Sequence, residues 1–428
     1  KIMKQIDKIL LIVIVLLSCA GEVLVAQTDT SFIKQHVNLN QFLQVVSENN
    51  LEFAAEKYNV QISEAAIEMA RVVPDPTFSF DWLENREQKE RSGFGYASEL
   101  GTTVEFGKRR ARVGLAKSEL SVTQAKLDDY FRNLRADAAL VFLEAEKQNQ
   151  LYLIKQKSYL TMKKLADADS IRLELGSIME TDAIQSKLEA GMLMNELLQA
   201  DANWRNALHE LNLFAGVSAI DTLFIPQIRM KGILRSFNLN SLIEVAVQNR
   251  SDVVSAKLNM EVSAKNRELV KRERNIDLDL KLGLENDYSL PNSGSGAKII
   301  SAGVGIPLKF SNFNKGEINA AELFEQQTEK QFNFVTQKIT NEIVKAYQYF
   351  LSTEKQVINY QENLLKQSEH VLKGKIYSYD RGETSLLEVL NAQRTFNEIQ
   401  SSYIEILVDN YMALVDLERT AGIWDISF

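Results

Sequence analysis

The residues best placed to do chemistry in this chain stand two apart. Between positions 276 and 285, Asp277, Asp279, Lys281, Gly283 and Glu285 alternate with Ile276, Leu278, Leu280, Leu282 and Leu284. A period of two puts the charges on one face of a β-strand and the leucines on the other. Three more stretches do the same. In 77–84, Phe78, Phe80 and Trp82 oppose Ser79, Asp81 and Leu83. In 97–106, Leu100, Val104 and Phe106 oppose Glu99, Thr103 and Glu105. In 299–310, Ile300, Ala302, Val304, Ile306, Leu308 and Phe310 oppose Ser301, Gly303, Gly305, Pro307 and Lys309.

These charges do not form a catalytic constellation. No Ser/His/Asp or paired-carboxylate arrangement falls in a cleft-forming context. His36, His209 and His370 are scattered without metal-ligand spacing, and no glycine-rich phosphate loop occurs. The sequence therefore nominates no catalytic, cofactor or metal residue. Charged faces of this kind can line a water-filled passage, which nominates Asp81, Asp277, Asp279, Lys281 and Glu285. The opposite faces, with Phe78, Phe80, Trp82, Leu278, Leu280, Leu282, Val304 and Ile306, can meet lipid.

For one strand alone, a sheet with one face on a core and the other in water is the simpler explanation. Four such strands weaken it. Each has about 10 residues, the length of a tilted membrane-spanning strand. The connections 85–95 and 287–296 are polar. Four strands cannot enclose a lumen, and an open sheet in lipid would leave backbone groups without partners. Membrane strands here require several subunits to share one barrel. Three subunits would supply twelve strands.

The strands are positioned by long helices. From Glu317 to Lys373 no glycine or proline interrupts the chain, a span of about 85 Å as helix. Within it Ile343, Ala346, Phe350, Val357, Tyr360, Leu364 and Val371 follow a heptad seam. A plain coiled-coil dimer would also explain that seam. The predicted helices are 39–73, 108–173, 178–214, 239–274, 315–378 and 384–421. The first and last of each set add up to about one long helix, which suggests end-to-end stacking beside it.

The chain is self-similar. Asn38-Leu39-Asn40 recurs as Asn238-Leu239-Asn240, and Val45, Asn49, Ser63 and Glu68 recur as Val245, Asn249, Ser263 and Glu268. Gly176 pairs with Gly382, and Ala215-Gly216 with Ala421-Gly422. Two repeats, 38–217 and 238–423, are joined by a linker around Pro226. If the strands are membrane strands, the architecture is an α+β membrane protein: a long α-helical barrel prolonging a transmembrane β-barrel that several subunits share, with twelve strands if there are three.

The composition is 25% charged and 45% apolar, with a net charge of −8. That is not a disordered composition. The longest apolar run, Ile9 to Leu17, is too short to span a bilayer as a helix. Lys1, Lys4 and Lys8 precede it and small residues follow, the pattern of an export signal over 1–26, leaving 27–428. Cleavage after Ala26 removes Cys19, the only cysteine; the lipobox-like Leu16-Leu17-Ser18-Cys19 makes Cys19 the alternative site of lipidation. The basic run Lys108-Arg109-Arg110-Ala111-Arg112 suits membrane head groups better than nucleic acid in an acidic, exported chain.

Two motifs resemble the TolC-like outer-membrane efflux family, more narrowly its CzcC and CusC branch. One is Ile306-Pro307-Leu308 followed by Asn314-Lys315-Gly316 and Ala320-Ala321. The other is Tyr379-Asp380-Arg381-Gly382 with Leu387-Glu388-Val389-Leu390-Asn391-Ala392-Gln393; Leu175-Gly176 with Asp182, Ala183 and Ser186 is its weaker first-repeat version. Lys309-Phe310 departs from the pattern. The resemblance spans essentially the whole exported chain. It implies a homotrimer in the outer membrane of a Gram-negative bacterium, with the helical part in the periplasm. It implies a periplasmic adaptor and an inner-membrane pump as partners, no cofactor, and a passive exit duct for metal ions or small toxic compounds. It places adaptor docking at the tips, Gly176, Ser177, Gly382 and Glu383, and a gate at Asp380 and Arg381. A type I secretion outlet shares this fold. A periplasmic coiled-coil adaptor or scaffold is the alternative from another class, and its strands would bury their apolar faces in a core.

Overall fold

The computed structural model describes residues 33–85, 93–218, 222–228, 230, 232, 235–287, 297–308 and 314–426. The predicted signal over 1–26, with Cys19, lies outside the described residues.

The long helices dominate. Strand β1 (Ile33–Val37) leads into α1 (Leu39–Asn49) and α2 (Leu51–Arg71). Strands β2 (Thr77–Asn85) and β3 (Gly93–Val104) precede α3 (Lys108–Glu174), whose 67 residues run about 100 Å. Helix α4 (Glu180–Phe214) returns alongside it, then β4 (Thr222–Pro226) follows. The second half has α5 (Leu239–Asn249), α6 (Ser251–Glu273), β5 (Leu278–Asp287), β6 (Ala297–Gly305), α7 (Lys315–Asn359), α8 (Leu365–Asp380) and α9 (Leu386–Ala421). Among the described residues no helix is long and apolar enough to cross a membrane.

Several boundaries differ from the sequence expectation. The predicted helices 39–73 and 239–274 are each broken, at Asn50 and Arg250. Both break residues have extended backbone, φ −64° and ψ 119° at Asn50, φ −63° and ψ 134° at Arg250. The breaks let another helix end abut. Asn50 Oδ1 accepts from the Phe53 amide, and its Nδ2 donates to the Phe214 carbonyl at the end of α4. Arg250 donates to the Thr420 carbonyl near the end of α9. Helices α4 and α2 thus meet end to end, as do α9 and α6, each satisfying a carbonyl that a helix terminus leaves open.

The predicted helix 315–378 contains a π turn, Tyr360–Leu364, between α7 and α8. A π turn adds a residue to the helical register. The heptad seam therefore slips by one. Ile343, Ala346, Phe350 and Val357 are buried as expected, but Val371 is 52% exposed and Leu372, at 7%, takes its place.

The region around Pro226 is not a linker. Strand β4 pairs in parallel with β1, Ile33 opposite Thr222 and Val37 opposite Pro226. Asn212 fixes it, donating to the Thr222 carbonyl and accepting from the Phe224 amide at 3.1 Å. Phe224 packs edge-on to Phe42, which lies 5.7 Å from Phe142. This waist core joins α1, α3, α4 and α9 through Leu143, Leu211 and Val415, with Ala136, Ala138 and Ala139 of α3 allowing close helix approach. A second core joins α5, α7 and α9 around Ile339, Ile343, Phe350 and Leu417.

Gly216 and Gly422 close the two joints, at φ +66° and +70°. A Cβ on Gly216 would lie 2.2 Å from the Asn49 carbonyl oxygen. Gly176, equally left-handed at φ +70°, has nothing within 4 Å. Gly176→Ala should therefore cost about 1–2 kcal/mol of backbone strain, and Gly216→Ala distinctly more, because backbone must also move. Thermal unfolding followed by helical circular dichroism should rank Gly216→Ala well below Gly176→Ala.

Candidate functional site

Two regions gather the nominated residues: the sheet and the hairpin tips. The sheet has the order β2-β3-β5-β6 and is antiparallel throughout. Its register aligns the apolar sets. Phe78 stands opposite Leu100, Leu100 opposite Leu282, and Leu282 opposite Ala302. Leu280 pairs with Val304 and Leu284 with Ile300. Directly opposed residues share a face, so the apolar side chains form one continuous surface.

That surface is uncovered. Phe78 is 69% exposed, Trp82 62% and Ile300 81%, and Phe80, Leu280, Leu282, Leu284 and Val304 are exposed with them. A sheet packing its own core, as the scaffold alternative required, would bury these groups. Near the 85–93 end the surface turns aromatic: Trp82 stacks on Phe94 at 5.7 Å, and Phe80 on Tyr96 at 6.4 Å.

Two nominated lipid-facing positions are placed differently. Leu278 is only half-exposed at the start of β5. Ile306 lies beyond β6, which ends at Gly305; the alternation runs on, but the ladder stops before Pro307. The predicted strands 276–286 and 299–310 become 278–287 and 297–305, and 97–106 becomes 93–104.

The opposite face carries Asp81, Asp279, Lys281 and Glu285. Lys281 bonds Glu99 at 2.7 Å, and Thr103 donates to Asp279 at 2.6 Å. Glu99 is thus a charged member of this face, as the strand alternation indicated. Asp277 leaves the set. It precedes β5 and pairs with Lys108, both largely buried, at the foot of α3. The basic run is partly consumed here: Arg112 holds Glu105 at 2.7 Å.

At the tips, both long hairpins end alike. The Gly176 amide donates to Leu173 and the Ser177 amide to Arg172. The Gly382 amide donates to Tyr379 and the Glu383 amide to Ser378. Each glycine takes a positive φ, +70° and +74°, as this helix-ending turn requires. Ser177 and Glu383 are exposed.

The tips are tied together within one chain. Arg172 of α3 bonds Asp380 at 2.8 Å. Tyr379 donates to Asp169 at 3.0 Å, and Arg172 also reaches Asp169 at 3.4 Å while lying 5.2 Å over the Tyr379 ring. Burial, then the Asp169 carboxylate, pushes the Tyr379 phenol up to about 12. Asp169 is wholly buried, and its Oδ2 has no hydrogen-bond partner among the described residues. Arg381 turns away, over the Tyr377 ring at 4.6 Å and 3.8 Å from Glu383. Of the two nominated gate residues, Asp380 joins this cluster and Arg381 does not. Asp169 and Arg172 were not singled out from sequence, because Asp169 stands 210 positions from Tyr379, which entered only as part of the tip motif. The only signal was Tyr379 next to Asp380.

His36, His209 and His370 are exposed and far apart in sequence. Among the described residues no group of His, Cys, Asp and Glu is arranged to hold a metal ion.

Tyr379→Phe should leave the buried Asp169 without its phenol and cost about 1–3 kcal/mol of stability. Asp380→Ala, at a more exposed pair, should cost under about 1 kcal/mol. Chemical denaturation of both variants checks the order.

Residues 242–422 match the sequence model of the outer membrane efflux protein family. The cobalt-zinc-cadmium resistance protein CzcC of Cupriavidus metallidurans is 22% identical over 392 residues, 90% of this chain and 90% of that one. Among solved structures, CusC superposes with a TM-score of 0.76 at 16% identity, covering 90% of this chain and 92% of CusC. The outer membrane channel CmeC of Campylobacter jejuni gives 0.73 at 15% identity, covering 90% and 85%. At these identities the structures establish the fold, which is that of outer-membrane channels. The named relatives are channels and a resistance protein, not enzymes.

Proposed function

We propose that this chain, which carries an outer membrane efflux protein domain over 242–422, is the exit duct of a tripartite efflux system. It works as a homotrimer: three four-stranded sheets close a twelve-stranded barrel in the outer membrane of a Gram-negative bacterium, and the helices continue it as a tunnel through the periplasm. The continuous uncovered apolar face of the sheet carries this reading, with β2 and β6 as its edges. An apolar outer face with polar inner positions is what a lipid-embedded barrel requires. Pairing the edges between copies satisfies backbone groups that lipid would leave bare.

On this reading Asp81, Glu99, Asp279, Lys281 and Glu285 line the water-filled lumen. The two halves, 38–217 and 238–423, derive from one duplicated unit. The tip turns at Gly176–Ser177 and Gly382–Glu383 meet a periplasmic adaptor, through which an inner-membrane pump delivers metal ions or small toxic compounds. The chain supplies no chemistry of its own. Its regulated step is opening at the tips, where Asp169, Arg172, Tyr379 and Asp380 hold the two hairpins together.

Single-channel recording in planar bilayers tests this. The wild type should insert and conduct in a mostly closed state. Tyr379→Phe combined with Arg172→Ala removes at least the about 1–3 kcal/mol of the Tyr379 contact, a roughly five- to 150-fold rise in the open-to-closed ratio. Failure of the wild type to form any conducting unit would contradict the channel reading. Conduction insensitive to these substitutions would remove the gate.

A further inference from the structure

The two helix joints at the waist are built on the same plan, and the residue at the break is neutral in one and cationic in the other. In the second half the break residue is Arg250, 5% exposed. Its Nη1 donates to the Thr420 carbonyl at 2.7 Å. Its Nε and Nη2 grip Asp252 at 3.0 and 2.7 Å, and both Nη atoms reach Glu342 at 3.2 Å. One guanidinium thus fills the joint between two carboxylates and a carbonyl, a geometry suited to its planar fork.

In the first half Asn50 stands at the break, with nearly the same backbone angles. The Phe214 carbonyl sits two residues before Gly216, as the Thr420 carbonyl does before Gly422, and Asn50 Nδ2 reaches it at 3.1 Å. Glu52 stands two residues after Asn50, as Asp252 does after Arg250. Asp137 on α3 stands where Glu342 does on α7: the buried Leu134 lies three residues before Asp137 and Ala138 one after it, just as the buried Ile339 and Ile343 flank Glu342. Asn50 makes only the carbonyl contact of Arg250. Asn50, Glu52 and Asp137 instead line a cavity of about 560 Å³.

That cavity is lined by Asn50, Glu52, Tyr130, Asp137, Phe214 and Val217, with Leu51 and Leu213 at its rim, 77% and 78% exposed. Its volume is that of a small-molecule site. The acids have partial neutralisation only. Tyr130 donates to Glu52 at 3.0 Å, and Arg419 reaches Asp137 at 3.2 Å while also serving Asp416. Burial, before any charge, holds the Asp137 carboxyl above its usual range, and desolvation with the Glu52 bond pushes the Tyr130 phenol up to about 12.

We infer that the first-half joint is a binding site for an organic cation with a planar guanidinium- or amidinium-like head and an apolar body. The head takes the position between Glu52 and Asp137 that Arg250 occupies between Asp252 and Glu342. The body lies against Leu51, Leu213, Phe214 and Val217. The inference concerns one chain and stands independently of the channel reading.

Isothermal titration calorimetry of the full chain in detergent, with benzamidinium chloride as probe and benzyl alcohol as the uncharged ring, tests it. Saturable binding of benzamidinium, absent for benzyl alcohol, is expected. Glu52→Gln and Asp137→Asn should each weaken it about tenfold, as loss of one charge-assisted contact of about 1.4 kcal/mol does. Asn50→Arg, which supplies the cation from the chain itself, should abolish binding and raise the melting temperature. No saturable binding to the wild type overturns the inference. So does benzamidinium binding that survives Glu52→Gln and Asp137→Asn unchanged; those two variants decide the matter if Asn50→Arg does not fold. Conductance is untouched by a negative result here, so the two claims fail separately.

Discussion

The structure turns on one four-stranded sheet with an exposed apolar face. Four strands present an apolar face from Phe78 across to Val304 that the described residues leave exposed, and β2 and β6 stand at the edges. In water that face favours aggregation and the edges invite further strands. In a bilayer the face is at home, but the edges must pair. On the proposed reading, both demands are met when copies of the same sheet join edge to edge.

The helices answer with length. Helix α3 is unbroken over 67 residues, while its neighbours are assembled from pieces abutting at Asn50 and Arg250. The joints occur where the waist strands β1 and β4 and the aromatic core of Phe42, Phe142 and Phe224 gather. Each joint replaces continuous helix with a tight glycine turn and a side chain that satisfies the open carbonyls. The tips follow a similar plan: a positive-φ glycine ends each hairpin, and Asp169, Arg172, Tyr379 and Asp380 bind them. On the proposed reading, a rigid rod between the sheet and a tied tip can transmit movement at one end to the other.

Much of this was legible in the sequence, for reasons that are local. Alternation is a strong signal, so Leu280, Leu282 and Leu284 announced β5 and its exposed face. Helix length followed from the rarity of proline. What was not legible depends on contacts far apart in sequence. Helical periodicity runs through Asn50 and Arg250 without interruption, and only the carbonyls of Phe214 and Thr420 explain the breaks. The π turn at Tyr360–Leu364 has no glycine or proline to mark it, so Val371 was placed on the seam instead of Leu372. Asp277 fits the strand alternation, yet its partner Lys108 draws it into a buried pair. The five-residue pairing of β1 with β4 is too short to carry a period, and Pro226 suggested a linker.

The shared barrel is tested most directly by the mass of the intact protein extracted from membranes, measured by native mass spectrometry with and without detergent. Three chains that stay together in detergent and precipitate without it would match the account. A monomer or dimer soluble without detergent would contradict it, because the exposed face would then need no lipid and the edges no neighbour.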